Sequence, residues 1–279
     1  MPVKRLLAFL PLGLVAAFLL VLTGCGSKDT LTLDAVASAA SKTTEAGSSR
    51  VESETTMQLF GQDVSITAEG LFDYENSNGS LTVDVGSVLP LAGVGQFELR
   101  VVDGTLYLRM PAAMGQGLSG DKEWVSLEPG KALRGAGLGG LDPSLQQDPA
   151  QLLRLLRAST DVVEAGTATV RGVGTTRYTA KLDLRDSLEA ATKELELTAE
   201  QRAQLRRAAE QLLEQIEAET LPIEVYVDDD GLLRRLTLDL TTSVAGQSLS
   251  LKQTTDFYDF GVDVDVDAPP ASQVLDLTR

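Results

Sequence analysis

The sequence predicts an α+β fold: a curled antiparallel β-sheet, a half-barrel, covered on its concave side by α-helices. Three observations predict it. Long stretches alternate apolar and polar residues with a period of two, the pattern of strands with one buried face. Dipeptides such as Asn78-Gly79 and Asp103-Gly104 mark tight turns between them, and strands joined by tight turns are antiparallel. Segments with an apolar stripe at helical spacing stand apart from the strand runs, as in α+β rather than α/β chains. A many-stranded antiparallel sheet curls, and a curled sheet capped by helices is a natural container.

The chain begins with a basic pair, Lys4 and Arg5, followed by the nearly unbroken apolar run Leu6 to Leu22. The run ends at Leu22-Thr23-Gly24-Cys25, the small-residue pattern of a bacterial lipobox, and Cys25 is the only cysteine. The expectation is a signal segment over 1–24 that is cut away, leaving Cys25 as a diacylated N-terminus. The alternative is an uncleaved membrane helix with an idle cysteine. Each buried methylene contributes about 0.8 kcal/mol, so two acyl chains anchor a protein where one does not. Residues 25–30 then form the lipidated end and a short tether, and 31–279 a single domain.

Within that domain, Leu31 to Ala46 reads as a helix with Leu33, Val36 and Ala40 on one stripe and Gly47 as its stop. Val51, Ser53, Thr55, Met57 and Leu59 then share one strand face, with Glu52, Glu54, Thr56 and Gln58 opposite. Gly61-Gln62-Asp63 turns the chain, and Val64, Ile66, Ala68, Phe72 and Tyr74 continue the apolar face. Strands follow through Leu81, Val83 and Val85, through Phe97, Leu99 and Val101, and through Leu106, Leu108 and Met110. Trp124 to Leu127 is short. Gly130 to Pro149 is a Gly- and Leu-rich loop, and Asp148-Pro149 starts a helix carrying Leu152, Leu153, Leu155 and Leu156. Strands resume from Asp161 to Leu184. Ser187 to Leu197 reads as helical, and the capping-box spacing Thr198 to Gln201 opens the longest helix, with Leu205, Ala209, Leu212, Leu213 and Ile216 as its stripe and Pro222 as its end. Ile223 to Val227, Leu236 to Leu240 and Ser248 to Phe260 complete the sheet.

Composition narrows the chemistry. The chain has 40 acidic and 24 basic residues, and loss of Lys4 and Arg5 leaves 22, a charge of −18. Such a polyanion does not suit nucleic acid, whose phosphates require Lys and Arg. It is also repelled by anionic headgroups, so the acyl anchor must hold it to the membrane. There is no histidine, which removes Ser-His-Asp and Cys-His catalysis and histidine metal sites. Gly135 to Gly140 matches a dinucleotide loop only as a string, since no strand leads into it; a mobile flap is the alternative. Ser119 to Lys122 has Ser-x-x-Lys spacing without its usual partners. Asp228 to Gly231 reads as an acidic turn rather than a calcium loop. Asp263, Asp265 and Asp267 lie on one face at strand spacing, a solvated edge before a weak cation site. No enzyme activity, cofactor or metal is expected.

The order Leu106-Tyr107-Leu108-Arg109-Met110-Pro111, Trp124 to Leu127, Asp148 to Leu153, Val170 to Tyr178 and Val225 to Arg235 resembles the actinobacterial LppX/LprG-type lipoproteins of the LolA-like superfamily. The resemblance runs over nearly the whole chain after the leader. It implies a half-open barrel whose apolar cavity holds lipid or lipoglycan acyl chains, in a carrier on the extracytoplasmic face of the cell membrane. A protein partner in envelope transport would then be unidentified. The alternative is a non-transporting lipoprotein that scaffolds or senses through a partner protein. Alternation and helical spacing assign the cavity lining to Met57, Leu59, Ile66, Phe72, Leu99, Leu152, Leu155, Leu156, Leu212 and Ile216.

Overall fold

A computed structural model describes residues 28–59, 62–85, 95–109, 122–128, 162–185, 198–200, 203, 206–207, 210, 220–244 and 247–277. Cys25, the Gly135–Gly140 loop, Leu152, Leu155, Leu156, Leu212 and Ile216 lie outside these residues. Leu59 is placed in its strand, but its side chain is outside the description.

The first described element is helix α1, Lys28–Glu45. Gly47, at φ +81°, breaks it and releases the chain into strand β1. Among the described residues twelve strands follow: β1 Ser48–Leu59, β2 Gln62–Asp73, β3 Asn78–Asp84, β4 Gln96–Val102, β5 Thr105–Arg109, β6 Trp124–Leu127, β7 Val163–Val170, β8 Val173–Asp183, β9 Thr220–Asp228, β10 Leu233–Val244, β11 Gln247–Tyr258 and β12 Val274–Asp276. All belong to one curled, unclosed sheet in the order β12-β6-β5-β4-β3-β2-β1-β11-β10-β9-β8-β7. Every pairing is antiparallel except β12 with β6. Between them lies a helical stretch: Ala199, Glu200, Ala203, Arg206, Arg207 and Glu210 are all helical, and Arg206 pairs with Glu210 one turn on.

Two hairpins turn on a residue pair at positive φ, Asp103-Gly104 at +50° and +71° and Arg171-Gly172 at +50° and +83°, which matches the twist of the flanking strands. The Asn78-Gly79 turn is corrected. Both residues belong to β3, paired with Asp73 and Phe72. The chain turns earlier, over 74–77, because the Asp73 carboxylate accepts hydrogen bonds from the Glu75 and Asn76 amides at 2.9 and 3.1 Å. Pro222 is likewise corrected from helix stop to strand residue. It pairs with Lys181 of β8, while the β10 ladder starts only at Ile223 with Leu238, so no partner on that side needs the missing proline N–H.

The core gathers where α1 meets the sheet. Val36 and Ala39 of the helix pack with Val51, Phe72, Tyr74, Ile223, Val225, Leu233 and Phe257. The helix is tied down at its C-terminal end. The Thr43 hydroxyl accepts from the Leu233 amide at 2.9 Å, and Lys42 Nζ donates to the Asp230 carbonyl at 3.0 Å. The 228–231 turn is structural, as expected: Asp228 Oδ1 accepts from the Leu232 amide and Oδ2 pairs with Arg234 at 2.5 Å.

After β11 the chain runs back as an extended strap. Gly261 donates to the Ser48 carbonyl at 2.9 Å, Arg100 to the Asp267 carbonyl at 3.1 Å and Lys122 to the Ser272 carbonyl at 2.5 Å. Asp263, Asp265 and Asp267 are exposed while Val262, Val264 and Val266 are half-buried. The expected period of two is there, without a paired strand. Pairing comes only at β12, which the sequence reading did not include.

Candidate functional site

Residues directly paired across strands share a face of the sheet. Val51 pairs with Gly70 and with Phe257, so the face that meets α1 can be traced from strand to strand. It carries Ser53, Thr55 and Met57 of β1; Val64, Ile66 and Ala68 of β2; Leu81 and Val83 of β3; Phe97, Leu99 and Val101 of β4; Leu236, Leu238 and Leu240 of β10; and Leu251 of β11. We call it the inner face.

Burial along this face is graded. At the α1 end Val51 is 6% exposed, Phe72 3%, Val101 4% and Phe257 6%. Farther along the same strands, Met57, Ile66, Leu99 and Leu251 are only half-buried. Four strands thus show one closed end and one half-open end. Of the lining residues expected from the sequence, Met57, Ile66 and Leu99 stand on the half-open part. Phe72 stands in the closed core, its ring 5.5 Å from that of Tyr74. Val64, Phe97, Leu240 and Leu251 are also half-buried on this face, and alternation marks each of them. What the sequence hid is that β1 pairs with β11 some two hundred residues away, which sets Met57 directly beside Leu251.

The outer face is polar, and several of its charges are paired. Arg235 makes two hydrogen bonds to Asp256, at 2.5 and 2.8 Å. Arg171, on the β7–β8 turn, reaches Glu52 at 2.8 Å and stacks 3.8 Å from the Tyr258 ring centre. Hydrogen bonds to Glu52 and Asp256 hold Arg171 and Arg235, respectively, above the usual arginine value. Tyr226 is pushed up by burial and by its hydrogen bond to Glu224. Arg100 lies 4.7 Å from the Trp124 ring centre and pairs with Glu98 at 2.6 Å. Among the described residues no group of three or more His, Cys, Asp or Glu is placed to hold a metal ion. A cavity of about 160 Å³ under the β7–β8 turn, lined by Val170, Arg171, Val173, Arg234, Phe257, Tyr258 and Asp259, is smaller than the roughly 300–1,000 Å³ of typical ligand pockets.

This architecture has solved counterparts. The Mycobacterium tuberculosis lipoprotein LppX superimposes with a TM-score of 0.52 at 15% identity, over 86% of this chain and all of LppX. Mycobacterium bovis LprF superimposes with a TM-score of 0.50 at 15% identity, over 86% of this chain and 97% of LprF. The chain has the fold of the LppX/LprG-type actinobacterial lipoproteins. The resemblance read from its residues therefore holds for the half-barrel.

Two Streptomyces proteins are similar in sequence. A candidate lipoprotein of Streptomyces coelicolor, SCO4650, is 29% identical over 158 residues, 53% of this chain. The match spans only 54% of that relative's own length. An uncharacterised 31.2 kDa protein of Streptomyces griseus, in the rplA-rplJ intergenic region, is 29% identical over 250 residues, 84% of this chain and 75% of that protein. No protein-family model matches the chain. Among the described residues no helix is long and apolar enough to cross a membrane.

Proposed function

We propose that this chain is a lipid-anchored envelope lipoprotein that binds acyl chains against the half-open part of its inner face and carries them between membranes. The observation behind this is the graded burial along β1, β2, β4 and β11. The sheet leaves Met57, Ile66, Leu99 and Leu251 half-buried, so apolar surface remains there for a ligand to cover. Moving an acyl chain onto that surface removes apolar area from water, at about 25 cal/mol per Å². Affinity then follows chain length, and the protein supplies shape rather than chemistry. The helices expected over 149–156 and 198–219, with Leu152, Leu155, Leu156, Leu212 and Ile216, would cover the concave side and complete the lining together with Leu59; Phe72 would form its floor.

The LppX-type fold and the lipoprotein relative support anchoring at Cys25 on the extracytoplasmic side. The lack of any histidine supports a binding protein rather than an enzyme.

Native mass spectrometry of the full chain, purified from a lipid-rich actinobacterial host, tests the binding. A co-purifying lipid is the expected result, and a chain recovered with no bound lipid would sink the proposal. Metabolic labelling with palmitate tests the anchor separately: Cys25→Ala should lose the label, and retained label would refute the site.

A further inference from the structure

The small cavity under the β7–β8 turn is lined by two arginines that are fixed in the same way. Arg234 Nε donates to Asp228 Oδ2 at 2.5 Å, and its guanidinium lies 4.8 Å from the Phe260 ring centre. Arg171 Nη1 donates to Glu52 Oε2 at 2.8 Å, and its guanidinium lies 3.8 Å from the Tyr258 ring centre. In each case a carboxylate holds part of the planar group and an aromatic ring lies against it, which orients the arginine before any ligand arrives.

Both side chains have donors to spare. Nη1 and Nη2 of Arg234, Nε and Nη2 of Arg171, and the Tyr258 hydroxyl have no hydrogen-bond partner among the described residues. Arg234 is the more telling of the two, because its side chain is only 18% exposed. A guanidinium carries five N–H groups, and burying them without partners costs free energy. The rest of the cavity wall is largely apolar: Val170 and Phe257 are buried and Val173 is half-buried. Asp259 also lines the space, but its carboxylate lies 3.4 Å from Arg50 and is 59% exposed.

We propose that this cavity binds a small carboxylate with a short apolar stem. The Nη1–Nη2 edge of Arg234 and the Nε–Nη2 edge of Arg171 are each a free pair of parallel donors, the arrangement that takes the two oxygens of a carboxylate. The stem then lies against Val170, Val173 and Phe257. A phosphate fits less well, since it carries oxygens on all sides and the apolar wall would strip water from some of them without a donor in return. The volume of about 160 Å³ is short of a typical ligand pocket but holds several waters, hence an acid of about three to five carbons. Phe257 belongs to the closed end of the sheet, so this site is separate from the half-open apolar surface and does not rest on the lipid-binding reading.

The probes are isobutyrate, its neutral isostere isobutyramide, and inorganic phosphate. The full chain is held in an amphipathic polymer, and saturation-transfer NMR reads contact with the methyl groups of each organic probe. Isobutyrate should bind saturably with a Kd at or below about 10 mM, and isobutyramide at least about tenfold more weakly. Phosphate should displace isobutyrate only at higher concentration than isobutyrate itself needs. Arg171→Gln, on an exposed turn, should weaken isobutyrate about tenfold, as expected for loss of a charge-assisted pair. Arg234→Gln should abolish binding. If that variant does not fold, because it leaves Asp228 without its arginine, Val173→Phe fills the cavity without touching a charge and should abolish binding as well. No saturable contact with isobutyrate would overturn the proposal. Equal affinity for the amide, or tighter binding of phosphate, would overturn the carboxylate assignment, and binding kept in both Arg171→Gln and Val173→Phe would show that the acid binds somewhere else.

Discussion

The two ends of the inner face are made by the same strands with the same alternation, yet they have opposite fates. On β11, Phe257 is 6% exposed, while Leu251, six residues away on the same face, is half-buried. On β1, Val51 and Met57 show the same contrast. Strand pattern alone does not decide which end closes. The placement of α1 does, since Val36 and Ala39 seal only the end that also holds Ile223 and Leu233. One end is a core and the other a half-buried apolar surface, which separates residues that stabilise from those that the proposed function assigns to binding.

The sharpest test of that contrast is a pair of truncations on one strand. Phe257→Ala should cost about 3–5 kcal/mol, the range for a large side chain removed from a packed core. Leu251→Ala should cost about 1 kcal/mol or less, because part of its surface is already exposed. Urea unfolding midpoints give both numbers at unchanged slope. Equal losses would mean that the open end is as well packed as the closed one. The border between them is held by Gly70, on the same face and paired with Val51 and Leu81. A Cβ there would stand 1.8 Å from the Ser80 carbonyl oxygen, so the backbone must move. Gly70→Ala should cost about 2–3 kcal/mol by overpacking. A neutral result would show that β2 and β3 can part freely at this point.

Much of the closed end was legible in the sequence. The stripe of Val36 and Ala40, the Gly47 stop and the alternation of β1, β2, β10 and β11 are local signals, and they placed α1 and these strands correctly. The open end was half legible: alternation put Met57, Ile66 and Leu99 on the apolar face, but it gave Phe72 the same standing, because period two cannot tell depth. The cavity under the β7–β8 turn was invisible for a different reason. Arg171, Arg234 and Tyr258 stand far apart in the sequence, and only the folded sheet sets them around one space. The 74–77 turn was misplaced because a glycine dipeptide outweighed Asp73, whose side chain sets the turn. β12 is three residues long and pairs in parallel with β6, so neither length nor a hairpin signal announces it.

The outer face supplies a control on the comparison, since its interactions should matter to stability and not to cargo. Asp256 is 7% exposed and holds Arg235 through two short hydrogen bonds. Arg235→Ala leaves that carboxylate with only Arg171, 3.9 Å away. The expected loss is about 2 kcal/mol, typical of charge-assisted hydrogen bonds at a part-buried pair. Lipid occupancy in native mass spectrometry should be unchanged. A variant that folds normally but loses its lipid would show that the two faces are coupled through β11.

The smallest effect is a pH dependence at the β2–β3 turn. Burial works to raise the Asp73 carboxyl, but hydrogen bonds from the Asn76 side chain and from the Asn76 and Glu75 amides outweigh it and hold the group below its ordinary 3.8. A carboxylate with a lowered folded value stabilises the fold above its unfolded value, and that stabilisation is lost as pH falls through the folded value. Asp73→Asn should therefore cost about 0.5 kcal/mol at neutral pH, in keeping with an exposed turn. The gap to wild type should close in acid below 3.8, as the wild-type carboxyl takes up its proton. Urea midpoints for both proteins across that range measure the gap directly. A gap that stays constant with pH would assign the turn to backbone preference instead of to the charged form of Asp73.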